Sequence, residues 1–479
     1  MNELLTLSGI RLAELIKKKE ITSVELTAAH IEHIRQVNPA INAVVAERFN
    51  LALDEARAAD RAVSEGRPGL PLFHGVPCTI KENIALAGMP NSCGLVSRRN
   101  VRPKKDATVV SRYRAAGAIP MGVTNVPEYC MWWETYNRIY GRTRNPYNRR
   151  RIAGGSSGGE GAIIGAGGSP FGIGSDIGGS VRMPAFFNGI FGHKPTGGMV
   201  PLTGQYPPVE NNIRRYLTSG PLARRAEDLP HLLRAIAGPD GQDEGCIGIP
   251  LGETGSVKLN ELTVFMIEDN GLVRVDDSLR RAMDRCGAHL RTMGAIVKKI
   301  YIRELKYSMN IWLAMLSREE ETPVELSICG GKKMKLFAEL MKMAVGASDY
   351  TLPVVALVIM ERLSKLAPAM MVRFADMGPE LRAKIEAMIG EKGVILYPPY
   401  TETAPPHRKP LLFPLDASYT MIVNVLEFPA TQVPLGLDRR GLPLGVQVIS
   451  RAGNDHVTIA VAQELERAFG GWVPPWHIR

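Results

Sequence analysis

The chain of 479 residues carries 58 basic and 48 acidic side chains, a formal charge of +10, with 45% hydrophobic and 6% aromatic residues. Glycine (48) and proline (34) fall short of the roughly one quarter that marks low-complexity chains, and no apolar run reaches the ~18–20 residues of a membrane span; collagen-like, broadly disordered and spanning chains are excluded. The basic clusters Arg98-Arg99, Lys104-Lys105 and Arg149-Arg150-Arg151 are short and scattered, so they read as solvated surface, and no nucleic-acid partner is expected.

Met1-Asn2-Glu3-Leu4-Leu5 has no basic stretch followed by an apolar one, as a secretory leader would. Thr22-Ser23-Val24-Glu25 is a capping box that opens a helix over 22–37, and Asn38-Pro39 is expected to stop it. A second, alanine-rich helix is expected at 51–65, then a loop and short strand over 70–77 that lead to Lys81. Apolar strand candidates follow at 117–123, 262–267, 393–397 and 444–449, alternating with helical stretches. The fold class expected is α/β, one large domain with a central mixed, twisted β-sheet covered by helices on both faces. Within it, 1–70 reads as an N-terminal helical segment, 71–200 as the part carrying the chemical motifs, and about 300–390 as a helical insertion or cap. Seven of the 20 methionines lie between Met334 and Met377. That stretch reads either as an ordinary core helix pair or as an adaptable apolar surface for a greasy substrate or a bilayer interface.

Sixteen of the 48 glycines fall between Gly154 and Gly198, so main chain comes close to something there. The run holds Gly154-Gly155-Ser156-Ser157-Gly158-Gly159 and Gly174-Ser175-Asp176-Ile177-Gly178-Gly179-Ser180-Val181-Arg182. It lacks the Gly-Lys-Ser/Thr of a phosphate loop and the third glycine of a dinucleotide loop. Gly154 to Gly158 fits a nucleophile elbow, but the polar residues Asn145 to Arg151 precede it where a buried strand should. The nine histidines form no ligand-spaced set; His30 and His33 share a helix with only Glu32 acidic between them. Six cysteines (Cys78, Cys93, Cys130, Cys246, Cys286, Cys329) contain no C-x-x-C pair, so no metal, cofactor or disulfide framework is expected, and a cytoplasmic location fits. A serine nucleophile would then need another base, and Lys81, delivered by the apolar Val76-Pro77-Cys78-Thr79-Ile80, is the candidate because desolvation lowers a lysine's pKa.

Gly75-Val76-Pro77 with Lys81 and the two serine-glycine blocks resemble the amidase signature family. So do Thr124-Asn125-Val126-Pro127-Glu128, Phe191-Gly192-His193-Lys194-Pro195-Thr196 and Gly441-Leu442-Pro443-Leu444-Gly445-Val446-Gln447, which extends the likeness over essentially the whole chain as one amidase-signature domain. The stretch from Asn137 to Lys194 is most similar to second-type fatty-acid amide hydrolases within it. The resemblance implies a Lys/cis-Ser/Ser triad in which Ser180 is the nucleophile, Ser156 the bridging serine behind a cis Gly155-Ser156 bond, and Lys81 the base. It implies an oxyanion hole from the amides of Ile177, Gly178, Gly179 and Ser180, with Asp176 and Arg182 bracing the loop and Ser157 adding a supporting bond. Tyr129-Cys130-Met131-Trp132-Trp133 occupies the stretch that lines the acyl channel in such enzymes, so Cys130, Met131, Trp132 and Trp133 are expected at the substrate.

The activity implied is hydrolysis of amides with a bulky hydrophobic acyl or aryl group through an acyl-enzyme. Aryl acylamidase or carbamate-cleaving urethanase activity stands as the near alternative and the amidase subunit of a tRNA-dependent amidotransferase as a remoter one. The partner implied is a hydrophobic small-molecule amide or carbamate, in a monomer or homodimer. Peripheral membrane contact is left open, without the transmembrane helix of membrane-anchored examples.

Overall fold

In the computed structural model, which describes residues 3–209 and 211–477, eleven strands among those residues form one mixed sheet and two form a separate hairpin. The opening Met1-Asn2 of the leader reading lies outside the described residues. In chain order the strands are β1 (Val44–Glu47), β2 (Val76–Lys81), β3 (Ala118–Thr124), β4 (Tyr136–Asn137), β5 (Gly141–Arg142), β6 (Phe171–Asp176), β7 (Phe191–Lys194), β8 (Thr218–Ala223), β9 (Thr263–Met266), β10 (Ile296–Lys299), β11 (Gly393–Tyr397), β12 (Ala430–Leu437) and β13 (Pro443–Ile449). Across the sheet the order is β1, β3, β2, β6, β8, β7, β12, β13, β11, β9, β10, with β4 paired to β5. β2 runs parallel to both β3 and β6, whereas β8 pairs antiparallel with β6 and β7. The four strand candidates read from sequence lie within one residue of β3, β9, β11 and β13 at each end.

Successive residues of a strand face opposite sides of a sheet, and here they enter two buried clusters. Ile119 and Met121 of β3 and Leu222 of β8 pack with Ile31, Phe49 and Ile163. Ala118, Val123 and Ala223 of the same strands join the larger cluster. Helices thus cover both faces. β2 and β6 are buried along their whole length, which places their ends inside the molecule.

The first long helix is Ser23–Ile41, with the Thr22 and Glu25 capping box formed. It does not stop at Asn38-Pro39. A proline in the last turn forfeits only one backbone bond, and past that turn the Asn38 side chain accepts the amides of Ala43 and Val44 at 2.8 and 2.9 Å. Left-handed Asn42 ends the helix by donating to the Asn38 carbonyl at 2.7 Å. The alanine-rich helix spans Phe49–Ser64. Between β10 and β11 the chain is helical: Ser308–Glu319, Val324–Ile328, Leu336–Ala344, Leu352–Ser364 and Pro368–Ile389. Its methionine-rich stretch is two-sided. Val354, Val355, Val358 and Met334 pack with Leu95 and Tyr129, while Phe337, Met341, Val345, Leu366 and Met370 face outward. No helix among the described residues is long and apolar enough to cross a membrane.

Candidate active site

Lys81 is the last residue of β2 and is fully buried. Its Nζ lies 2.7 Å from Ser156 Oγ, 2.9 Å from Ser175 Oγ and 3.3 Å from the Ser175 carbonyl, and it joins no ion pair among the described residues. Burial pushes the Lys81 pKa down, opposed only in part by Cys130, Cys93, Asp176 and Glu160. Glu160, on the helix Gly158–Gly165, is itself buried between the hydroxyls of Thr79 at 2.7 Å and Thr124 at 2.9 Å. Burial lifts its pKa to about 8. The peptide bond between Gly155 and Ser156 is cis. A side chain at Gly155 would stand 2.3 Å from the Trp132 carbonyl, so the Trp132-Trp133 main chain rests directly on the loop that carries Ser156.

Ser180 lies in the loop between β6 and the helix Arg182–Phe187. Its carbonyl accepts from the Ser157 amide at 3.1 Å, while its hydroxyl makes no hydrogen bond among the described residues. Ser157 Oγ also reaches the Ser175 carbonyl at 3.4 Å. Asp176 and Arg182, both fully buried, form an ion pair at 3.0 Å. Burial works to raise the Asp176 pKa, but the Arg182 charge and hydrogen bonds, with Lys194 and Asn424, hold it well below the carboxylate range.

Each carbonyl of this loop is tied outward. Asn424 donates to Asp176 O at 2.9 Å, Trp312 Nε1 to Ile177 O at 2.7 Å, Thr420 Oγ1 to Gly178 O at 2.8 Å and the Met183 amide to Gly179 O at 2.7 Å. A trans peptide aims its N–H opposite to its carbonyl, so the amides of Ile177, Gly178 and Ser180 point away from these anchors and carry no protein acceptor among the described residues. Gly179 departs from the expected donor set: its amide is taken by Asp176 Oδ1 at 2.7 Å. Three amides, not four, are available to an oxyanion.

The remaining expected residues are split. Trp132 is buried and its ring lies 4.6 Å from that of half-buried Trp133. With Leu340, Met343, Leu352 and Leu411 it lines a cavity of about 630 Å³ between the core and the helices after β10. Glu128, Arg138 and Arg408 share its walls, so the cavity is amphipathic rather than purely apolar. Met131 packs on the core, and Cys130 faces Cys93 with 3.3 Å between sulfurs. Ser175, Trp312, Thr420, Asn424 and Gln447 are the site residues that sequence reasoning missed; only Ser175 and Gln447 lay inside motifs that could have flagged them. His30 and His33 hold the carbonyls of Gly168 and Ala166, outside the site.

The model of the family described as Amidase matches residues 25–459. Fatty-acid amide hydrolase 2-B of Danio rerio is 45% identical over 99% of this chain and 91% of its own length. Fatty-acid amide hydrolase 2 of Homo sapiens is 42% identical over 98% and 91%. Native peptide amidase from Stenotrophomonas maltophilia superposes with a TM-score of 0.81 at 25% identity, over 98% of each chain. With its β2 lysine beside a serine-glycine loop, the chain therefore belongs to the amidase signature family and is an amide-hydrolysing enzyme.

Proposed function

We propose that this enzyme hydrolyses amides bearing a bulky hydrophobic acyl or aryl group, with Ser180 as nucleophile, Ser156 as bridge and Lys81 as base. The observation that carries this reading is the 2.7 Å contact of a buried, unpaired Lys81 with Ser156. An uncharged amine has one lone pair and two N–H groups, which matches three oxygens around Nζ: Ser156 donates its hydroxyl proton to the lone pair, and the two N–H groups go to Ser175. Ser180 then gives its proton to Ser156 as its oxygen attacks the carbonyl carbon. Its unbonded hydroxyl is free to turn, and relay bonds often close only around substrate. Charge on the carbonyl oxygen falls to the amides of Ile177, Gly178 and Ser180. The relay reversed protonates the departing nitrogen, and water releases the acyl group from Ser180.

The preference for apolar groups is supported by the likeness to fatty-acid amide hydrolases. Phe337, Val345 and Leu366, flanked by Lys332, Lys333, Lys335, Lys342 and Lys365, suit contact with an anionic lipid surface that would hold such substrates. The test is intact-mass detection of an acyl adduct during turnover of long-chain acyl amides, carbamates and esters. Ser180→Ala should abolish both adduct and turnover, and Lys81→Ala nearly so. Full turnover by Ser180→Ala, or an adduct on another residue, would overturn the assignment.

A further inference from the structure

Two thiols that amide hydrolysis does not use lie against the Lys81 and Ser156 pair. Cys93 and Cys130 belong to separate loops, yet their sulfurs are 3.3 Å apart. Both side chains are buried, at 0% and 9% exposure, so the little access there is falls on Cys130. The loops are locked together by the Tyr129 amide, which donates to the Cys93 carbonyl at 2.7 Å. Glu82 fixes the Cys93 side by accepting the amides of Ser92 and Cys93 at 2.6 and 2.8 Å. Cys130 in turn interacts with the Ser156 hydroxyl and with Lys81. None of the other four cysteines has a second thiol as hydrogen-bond partner among the described residues.

We propose that Cys93 and Cys130 are an oxidative modification site, joined by hydroperoxides into a reversible disulfide that turns amide hydrolysis down. The Cys130 thiolate attacks a peroxide oxygen, the O–O bond breaks, and the departing oxygen takes up the thiol's proton, leaving a sulfenic acid on Cys130. Cys93 sulfur, giving up its own proton, attacks that sulfur; the S–O bond breaks and water leaves. Two thiols lose two electrons, and one hydrogen peroxide becomes two waters. A dithiol reductant reverses the bond. Closing the sulfurs from 3.3 Å to a bonded distance of about 2.05 Å draws Cys130 toward Cys93 and off Ser156, and it removes a thiol proton from the surroundings of the base. The effect on turnover rests on Lys81 and Ser156 being reacting groups; formation of the bond does not.

The experiment treats the full-length, pre-reduced protein with hydrogen peroxide and follows intact mass, a non-reducing peptide map and long-chain acyl amide turnover together. The expected result is loss of two hydrogens, a Cys93 to Cys130 cross-linked peptide, and turnover that falls in proportion to the cross-linked fraction and returns with dithiothreitol. Cys93→Ser should match the parent before peroxide; afterwards it should show oxygen added at Cys130, no cross-link, and a loss that dithiothreitol no longer fully restores. Thiols that stay free in the map, a cross-link with full turnover, or a loss traced to other cysteines would each overturn the proposal. If Cys93→Ser does not fold, the parent's map and its recovery with dithiothreitol decide alone. A cross-link that forms while Ser180→Ala keeps its activity would refute the catalytic assignment and leave the thiol site standing.

Discussion

Trp312 bonds the Ile177 carbonyl with its indole N–H, and this one contact sets the direction of the Gly178 amide. Trp312→Phe keeps most of the ring packing and removes the donor. A neutral hydrogen bond is worth about 1 kcal/mol, so kcat for a long-chain acyl anilide should fall by roughly five- to tenfold with KM little changed, as steady-state kinetics would read. In the proposed relay Lys81 can act as a base only without its proton. Because burial lowers its pKa, kcat/KM should rise with pH through a value below the ordinary lysine range. A pH–rate profile that keeps climbing through that range would contradict a neutral base at work near pH 7.

The segment from the end of β6 to the helix Arg182–Phe187 is held by charge as well as by hydrogen bonds. Asp176→Asn leaves Arg182 buried without a counter-charge, a change that costs about 3–5 kcal/mol and should appear in urea unfolding. Asp176 has a lowered pKa in the folded protein. Its stabilisation is therefore fully present above the unfolded value of about 3.9 and is lost as pH falls through the folded one. The gap in midpoint between wild type and Asp176→Asn should shrink only below about pH 4. This segment was legible because crowding demands its glycines: Gly179 has φ +108°, and a side chain there would stand 2.1 Å from Thr420 Oγ1. The helix Ser23–Ile41 was legible at its start, where the signal is local, and misread at its end, where the Asn38 side chain ties the chain just past the last turn by accepting from Ala43 and Val44. Trp312, Thr420 and Asn424 were not legible as partners of the loop. Trp312 sits on the helix Ser308–Glu319 and Thr420 and Asn424 on the wholly buried helix Ser418–Val425, and only tertiary packing brings them 135 to 248 residues back along the chain.

At the scale of the molecule, the early strands β1 to β3 and β6 to β8 fill one half of the sheet and the late strands β9 to β13 the other, joined where β7 pairs antiparallel with β12, a nonlocal pairing that no residue pattern announces. The helices after β10 add an outward apolar face, with Phe337 at 80% and Leu366 at 78% exposure beside several lysines. Co-sedimentation should show stronger binding to anionic than to neutral vesicles. Phe337→Asp with Leu366→Asp should weaken that binding while leaving turnover of a short, soluble anilide unchanged. Arg182 reaches Asp176, Thr420, Asn424 and Gln447, the last of these 265 residues further on. A ribosome must deliver nearly all of the polypeptide before those contacts exist. A nascent chain halted ahead of Gln447 would therefore emerge inert, and cleavage would begin only as synthesis ends.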